Sequence, residues 1–151
     1  MPIVPGHGDM LAADVDAMVN AANTVGVMGK GLALQVKRAF PDVFAAYARA
    51  CKAGEVEVGR MHVVRRATPP RVVINFPTKQ HWRQPSQLAF VRDGLRDLIA
   101  HVRALSIASI AVPPLGCGLG GLAWRDVEPL IVDAFAALPA VEVVLFAPRD
   151  G

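Results

Sequence analysis

The segment Val19-Asn20-Ala21-Ala22-Asn23-Thr24-Val25-Gly26-Val27-Met28-Gly29-Lys30-Gly31-Leu32-Ala33 organises this chain. It opens as a buried strand. Two asparagines, Asn20 and Asn23, follow in small-residue company. A glycine-bracketed turn, Gly29-Lys30-Gly31, comes next, and behind it Leu32, Val36, Ala39 and Phe40 recur with helical period. A strand that runs through a glycine turn into a helix start leaves bare backbone N–H groups facing outward, and these suit a phosphate. The carboxamides of Asn20 and Asn23 offer donors and acceptors to sugar hydroxyls nearby. The segment therefore predicts a pocket for a nucleotide diphosphate that carries a second sugar.

The totals agree with one compact unit. The 151 residues are enough for a single domain with a real core, and an apolar fraction of 53%, evenly spread, excludes disorder. No apolar run reaches the ~18 residues a membrane span needs, so no membrane partner is expected. Met1 to Asp9 has neither a basic head nor an apolar signal core. The two cysteines, Cys51 and Cys117, lie far apart and form no Cys-x-x-Cys. They suggest neither a disulfide framework nor a metal site, and a reducing cytoplasm fits. A net charge of +3 and a pI near 9.2 permit an anionic partner, nucleotide or nucleic acid.

Outward from the central segment, strands alternate with helices. Ile3 to Leu11 reads as a first strand ending in Gly8-Asp9-Met10, and Val15 to Asn20 as a second. Gly31 to Phe40 is a helix, broken by Pro41-Asp42. Val43 to Lys52 is another, with Phe44, Tyr47, Ala48 and Cys51 on one face and Gly54 closing it. Gly59 to Arg66 is a strand, Ala67 to Pro70 a proline turn, and Val72 to Phe76 a buried strand that opens into Pro77-Thr78-Lys79-Gln80-His81-Trp82-Arg83-Gln84-Pro85. Ser86 is placed to cap a helix whose apolar face is Leu88, Val91, Leu95, Leu98, Ile99 and Val102. Ile107 to Val112 is a continuous apolar strand, followed by Pro113-Pro114-Leu115-Gly116-Cys117-Gly118-Leu119-Gly120-Gly121. Trp124 to Leu138 is the last helix, with Trp124, Val127, Leu130, Ile131, Ala134 and Phe135 inward, and Val141 to Ala147 the closing strand. This order predicts a three-layer α/β domain around a mostly parallel sheet.

Glycine loops thus follow two strands, at Gly26–Gly31 and Gly116–Gly121. Ligands of such sheets sit beyond the carboxyl ends of strands, so both loops are expected to face one crevice and clamp the two phosphates of a diphosphate. Neither loop is a Walker loop: Thr24 stands where the first glycine belongs, and Gly31 where a Ser or Thr would hold a metal. Leu34 breaks the dinucleotide fingerprint. Lys79 reads either as a solvated surface lysine or as an amine leaning into a partly dry pocket. There, desolvation and nearby Lys30 would lower its pKa and let it attack an electrophilic carbon. His81 and Trp82 beside it can meet a base, by hydrogen bonding and by stacking, or can simply cover the loop and face water. Asp9 at its strand end is either a turn former or an acceptor for an exocyclic amine. Cys117 reads as a small filler, and Asp93, Asp97 and Asp126 as solvated helix faces.

Together, Gly8-Asp9-Met10, the run Val15-Asp16-Ala17-Met18-Val19-Asn20-Ala21-Ala22-Asn23, and the glycine turn with its helix closely resemble the macrodomain family of ADP-ribose-binding modules. The likeness covers nearly the whole chain, and its Asn-Ala-Ala-Asn core is specific. Within that family, the segments from Gly26 to Ala33, Asn75 to Arg83 and Pro113 to Leu122 look like the DarG branch. Those are bacterial antitoxins that remove ADP-ribose from thymine bases in DNA and so reverse their partner toxin DarT.

The resemblance implies an α/β/α macrodomain over residues 1–151 with a central mixed, mostly parallel sheet. It is either whole or the N-terminal part of a longer antitoxin, since DarG-type proteins carry a toxin-gripping domain for which 151 residues leave no space. The implied ligand and product is ADP-ribose, with no cofactor and no metal. The implied substrate is ADP-ribosylated single-stranded DNA, and the implied partner a DarT-type toxin. Asp9 matches the carboxylate that reads the adenine amine, with Met10 beside it. Asn23 matches the asparagine that orients the distal ribose, and Asn20 the one that braces the loop. Met28, Gly29, Lys30, Gly31 and Leu32 fall in the first phosphate loop. Thr78 precedes the catalytic lysine, Lys79. Leu115, Gly116, Cys117, Gly118, Leu119 and Gly120 form the second phosphate loop. His81, Trp82 and Arg83 fall at the mouth, against the DNA base. A related branch, the terminal ADP-ribose glycohydrolases, pairs its lysine with an aspartate in the second loop, where this chain has Gly120. Lys30 also interrupts the glycine run that many hydrolytic macrodomains carry. Two rivals stay open: a module that reads ADP-ribose and cleaves nothing, and a hydrolase of protein-linked ADP-ribose or O-acetyl-ADP-ribose.

Overall fold

The computed structural model describes residues 3–148, so Met1 and Pro2 of the N-terminal stretch and positions 149–151 lie outside it. Strands β1 (Ile3–Pro5), β2 (Ala17–Ala22), β3 (His62–Arg65), β4 (Val72–Pro77), β5 (Ser109–Val112) and β6 (Glu142–Leu145) form one sheet in the order β1-β6-β5-β2-β4-β3. Every neighbouring pair is parallel except β3 with β4. The helices are α1 (Gly31–Ala39), α2 (Pro41–Lys52), α3 (Leu88–Ala104) and α4 (Trp124–Phe135). The sheet is mixed and mostly parallel, as expected, and both its faces are covered.

Strand alternation sorts the core. Val19, Ile74, Ile110, Val112 and Val143 point to the α3/α4 side and join Leu95, Leu98, Val127 and Ile131. Met18, Val73 and Ala111 point to the α1/α2 side and join Val36, Val43 and Tyr47. Burying each large apolar side chain contributes about 1.5–3 kcal/mol, and this two-sided burial explains why β5 reads as a continuous apolar run beyond Ser109 and why β2 and β4 are apolar apart from Asn20 and Asn75. Among the described residues no helix is long and apolar enough to cross a membrane.

Several element ends differ from the sequence expectation. The first strand stops at Pro5, not Leu11. Gly6 makes one last bond to Leu145, Gly8 turns with a positive φ, and Met10–Ala12 winds as a short 3-10 turn capped by the Asp9 carboxylate. Strand β2 starts at Ala17 because Asp16 closes its entrance sideways, through Ser109 Oγ and Ala108 N–H. That same bond takes Ala108 out of β5. Pro41 starts α2 instead of separating it from α1, since the first helical position needs no N–H. Ser86 is not the α3 cap; Gln87 is, with no side-chain cap bond, and Leu88 faces solvent. Ala39 is exposed. Asp97 is no free surface charge either, because it accepts the Met61 N–H at 2.7 Å and pairs with His101.

The topology locates the site. From β2 the chain leaves toward β3 and β4, from β5 toward β6, and β2 and β5 are neighbours. A crevice opens beyond the carboxyl ends of adjacent strands whose connections diverge in this way.

Candidate functional site

The loops after β2, β4 and β5 enclose a crevice of about 590 Å³, a size common for small-molecule sites. From the first loop come Asn23, Val27, Gly29 and Lys30, then Gly31, Leu32 and Ala33 of α1. Thr78, Lys79, Trp82 and Arg83 come from the second segment. The third contributes Pro113, Pro114, and Gly116 through Gly120. Ala21 and Ala22 form the floor. The lining carries three cationic side chains, Lys30, Lys79 and Arg83, and no Asp or Glu. Such a field suits an anion.

The first loop is wired by one side chain. Asn23 Oδ1 accepts from the N–H groups of Val25, Gly26 and Val27 at 3.1, 3.2 and 3.4 Å, and from Tyr47 Oη at 2.6 Å. Its Nδ2 donates to Val27 O at 2.8 Å. Burial and nearby Cys51 raise the Tyr47 pKa, so the phenol stays a donor. Met28, 1% exposed, anchors the loop in the core. Beyond this scaffold, the N–H groups of Gly31, Leu32 and Ala33 open α1 without a protein partner or a side-chain cap among the described residues. Gly31 has a φ of 57°, a left-handed value that suits glycine.

The second loop is held from outside. Lys79 Nζ donates to Leu119 O at 3.1 Å and to Trp82 O at 3.3 Å. Ser86 N–H donates to Gly120 O at 2.9 Å, and Leu122 N–H to Gly116 O at 2.9 Å. The N–H groups of Gly118 and Leu119 have no protein partner among the described residues. The two loops meet where Leu119 Cδ1 comes within 3.7 Å of the Cβ position of Gly31. With two N–H bonds given to carbonyls, a neutral amine here keeps its lone pair and an ammonium keeps a third proton. Burial lowers its pKa; Lys30, expected to contribute, is not a cause.

A polar ladder crosses the sheet beneath the crevice. Asn20, Asn75 and His62 stand opposite one another on β2, β4 and β3. Asn20 Nδ2 donates to Asn75 Oδ1 at 3.0 Å, and Asn75 Nδ2 donates to His62 Nδ1 at 3.1 Å. That bond assigns the His62 proton to Nε2, and burial lowers the ring's pKa. Sequence reading missed Asn75 and His62 as members of this network, because strand register alone brings them beside Asn20.

The expected site residues separate into two groups. Asn23, Gly29, Lys30, Gly31, Leu32, Thr78, Gly116, Cys117, Gly118, Leu119 and Gly120 line the crevice together with Lys79, Trp82 and Arg83. Asn20 does not: it is 0% exposed and cannot touch a ligand in this arrangement, and its only link to the loop is a 3.9 Å contact with Met28 Sδ. Met10, Met28 and Leu115 are buried core residues behind the wall. Asp9 is exposed, outside the lining, with its carboxylate on Leu11 N–H at 3.0 Å. Asn23 was expected to orient a ribose. Its carboxamide is instead committed to the loop, with one Nδ2 proton to spare. His81 stacks on Trp82 at 5.4 Å between centroids, with Arg83 over the same indole at 4.6 Å. His81 Nδ1 accepts the Arg83 N–H. Cys117 points its thiol at Leu115 O, and burial raises its pKa, so it is a filler, as expected.

Comparison with known proteins adds the family context. The sequence matches the Macro domain family over residues 19–131. It is 56% identical over 151 residues to the DNA ADP-ribosyl glycohydrolase of Mycobacterium tuberculosis, covering 99% of this chain and 43% of that protein. The fold is similar to the macrodomain of Mycobacterium tuberculosis DarG, with a TM-score of 0.96 and 55% identity over 97% of this chain and 98% of the other. It is also similar to Thermosipho africanus DarTG in complex with ADP-ribose, with a TM-score of 0.88 and 37% identity over 95% of this chain and 42% of that one. The chain thus spans less than half the length of the curated relative it matches.

Proposed function

The chain belongs to the Macro domain family and, within it, groups with the DarG macrodomains, and from that premise we propose that it binds ADP-ribose in the crevice and hydrolyses the N-glycosidic bond joining the distal ribose to a thymine base in single-stranded DNA. The observation that carries the reading is the Lys79 amine, lodged against the second of two glycine loops with a lowered pKa. The unpaired N–H groups of Gly31, Leu32 and Ala33 take one phosphate, and those of Gly118 and Leu119 the other. The adenine end reaches toward Asp9. The spare Nδ2 proton of Asn23 meets a hydroxyl of the distal ribose.

Two routes then end in an unmodified thymine, still in its DNA strand, and ADP-ribose. In one, neutral Lys79 attacks the anomeric carbon. The new C–N bond forms as the bond to thymine breaks, the electron pair leaves with the base, and a proton neutralises it. Water then releases ADP-ribose and restores the amine. In the other, water attacks the same carbon while ammonium Lys79 protonates the departing base. Trp82, with His81 and Arg83, offers an aromatic and cationic edge for the DNA strand at the mouth. The natural context of this activity is a cytoplasmic toxin–antitoxin pair with a DarT-type toxin, in which it repairs the toxin's lesion.

The test is incubation of a thymidine-ADP-ribosylated oligonucleotide with wild type and Lys79→Ala, following release of ADP-ribose. Release by the wild type alone is expected; no release by the wild type refutes the hydrolase reading. Turnover that prefers ADP-ribosylated protein over the oligonucleotide refutes the substrate.

A further inference from the structure

Ser86 packs behind the second glycine loop, outside the crevice lining, and enters no step described above. Its position before α3 suggests a helix cap, but Gln87 takes the N-cap position and the serine side chain turns under the second glycine loop. Its N–H holds Gly120 O at 2.9 Å. Its Cβ lies 3.3 Å from the Cβ position of Gly116 and 3.1 Å from that of Gly120, and a Cβ on Gly120 would run into its Oγ. The residue is 6% exposed, and its Oγ is shut off from solvent with no hydrogen-bond partner among the described residues. The same Gly120 position lies 3.9 Å from Lys79 Cε, so the hydroxyl sits at the amine end of the crevice.

A buried hydroxyl without a partner destabilises the state in which it is unpaired. Alanine would fill nearly the same space without that cost. An orphan of this kind under a glycine-rich loop fits a second state in which it is paired. We propose that Ser86 is a positioning residue of the second loop, its hydroxyl held in reserve for the ligand-bound crevice, where a reoriented peptide of the Gly118–Gly121 segment takes its hydrogen bond and closes the loop on the diphosphate. The segment is suited to reorientation. Gly118 and Gly121 hold φ values of 65° and 80°, Leu119 between them is 66% exposed, and neither the Gly118 nor the Leu119 N–H is committed. The inference rests on the ADP-ribose reading of the crevice and adds a residue that touches neither phosphate nor sugar.

The experiment measures ADP-ribose affinity by calorimetry and thermal unfolding for wild type, Ser86→Ala and Ser86→Cys. Ser86→Ala should melt at or above the wild-type temperature yet bind ADP-ribose about five- to tenfold more weakly, the scale of one lost hydrogen bond. Ser86→Cys, which fills the space with a poor donor, should bind as weakly as Ser86→Ala. Wild-type affinity in Ser86→Ala overturns the role of Ser86, as does full affinity in Ser86→Cys, which would mean that packing alone supports the loop. A melting loss that accompanies the affinity loss overturns it too, since the hydroxyl would then serve the free fold. A wild type that binds no ADP-ribose overturns the functional reading itself, and the proposal with it.

Discussion

The two glycine loops share composition but not the source of their order. The first is organised from within: one carboxamide, Asn23, gathers three N–H groups and a buried tyrosine, and Met28 pins the turn to the core. The second is closed by backbone bonds, the widest from Leu122 N–H to Gly116 O, and takes its side-chain support from outside groups, the Lys79 amine with the Ser86 N–H beside it. A loop wired through its own side chains is pre-organised, so binding there costs little ordering. A loop held by the Lys79 amine is tied to that side chain, because whatever moves the Leu119 carbonyl also moves Lys79. Similar glycine spacing thus serves a fixed cradle in one place and an adjustable one in the other.

Lys79 is where that contrast is broken most severely. Lys79→Ala should lower release from a modified oligonucleotide by about 10³-fold or more, the scale of losing a nucleophile or acid, while ADP-ribose affinity falls only a few-fold. An equal loss in both would mean that the lysine only holds the loop. In the wild type, if the amine acts neutral, turnover should rise with pH through a midpoint below the ordinary lysine value of 10.5, because burial favours loss of the proton. Activity that falls over that range would point to the ammonium as acid.

Glycine replacement separates the cradles next. Gly31→Val and Gly118→Val should each weaken ADP-ribose binding by roughly 100-fold, since a branched side chain at positive φ both strains the turn and obstructs backbone approach to phosphate. Unchanged calorimetric affinity at either position removes that loop from the diphosphate site.

Asn23→Ala sharpens the comparison further. Read as a ribose ligand, the residue should matter more for turnover than for binding. Read as scaffold, its loss strands three N–H groups and a buried phenol, costs about 1–3 kcal/mol, and lowers the melting temperature by several degrees. The structure favours a fall in stability and affinity together. A stable variant with wild-type affinity but slowed release would show that the ribose contact outweighs the scaffold.

The smallest effect lies beneath the first loop. His62 accepts from Asn75 only when Nδ1 is unprotonated, and burial lowers the ring's pKa below 6.5 in the folded chain, opposed by Glu55. Below 6.5 the unfolded chain binds more protons than the folded one, so stability falls as pH falls through that window and is full above it. The wild type should lose about 1–3 °C of melting temperature between neutral and mildly acidic pH, and His62→Phe should lose less. Equal slopes would show that the ladder does not titrate.

Much of this was legible in the residues. Glycine turns after apolar strands announce loops that can meet an anion whatever the partners, since the conformation and the bare N–H groups are local properties. The order of strands and helices, the mostly parallel sheet and the inward faces carrying Leu95, Leu98, Ile131 and Val36 follow from periodicity, which burial enforces, whereas the side of the sheet each helix covers does not. Lys79 was not settled by its neighbours, since a loop lysine beside Pro77, Trp82 and Pro85 also reads as a solvated side chain, and only the family resemblance singled it out.

Hydrogen-bond partnership was not legible. Nothing in the sequence says that Asn20 turns to Asn75 and His62 instead of the ligand, since a one-residue slip of β2 would send it to the opposite face. Asn23 and Tyr47 are far apart in sequence, yet one phenol decides that the carboxamide belongs to the loop. Ser86 reads as a cap until packing turns it under Gly120. Sequence settles which surfaces must be buried and where the backbone can bend. Tertiary structure alone decides which polar groups find one another, because a hydrogen bond depends on distances of a few tenths of an ångström that only register and packing set.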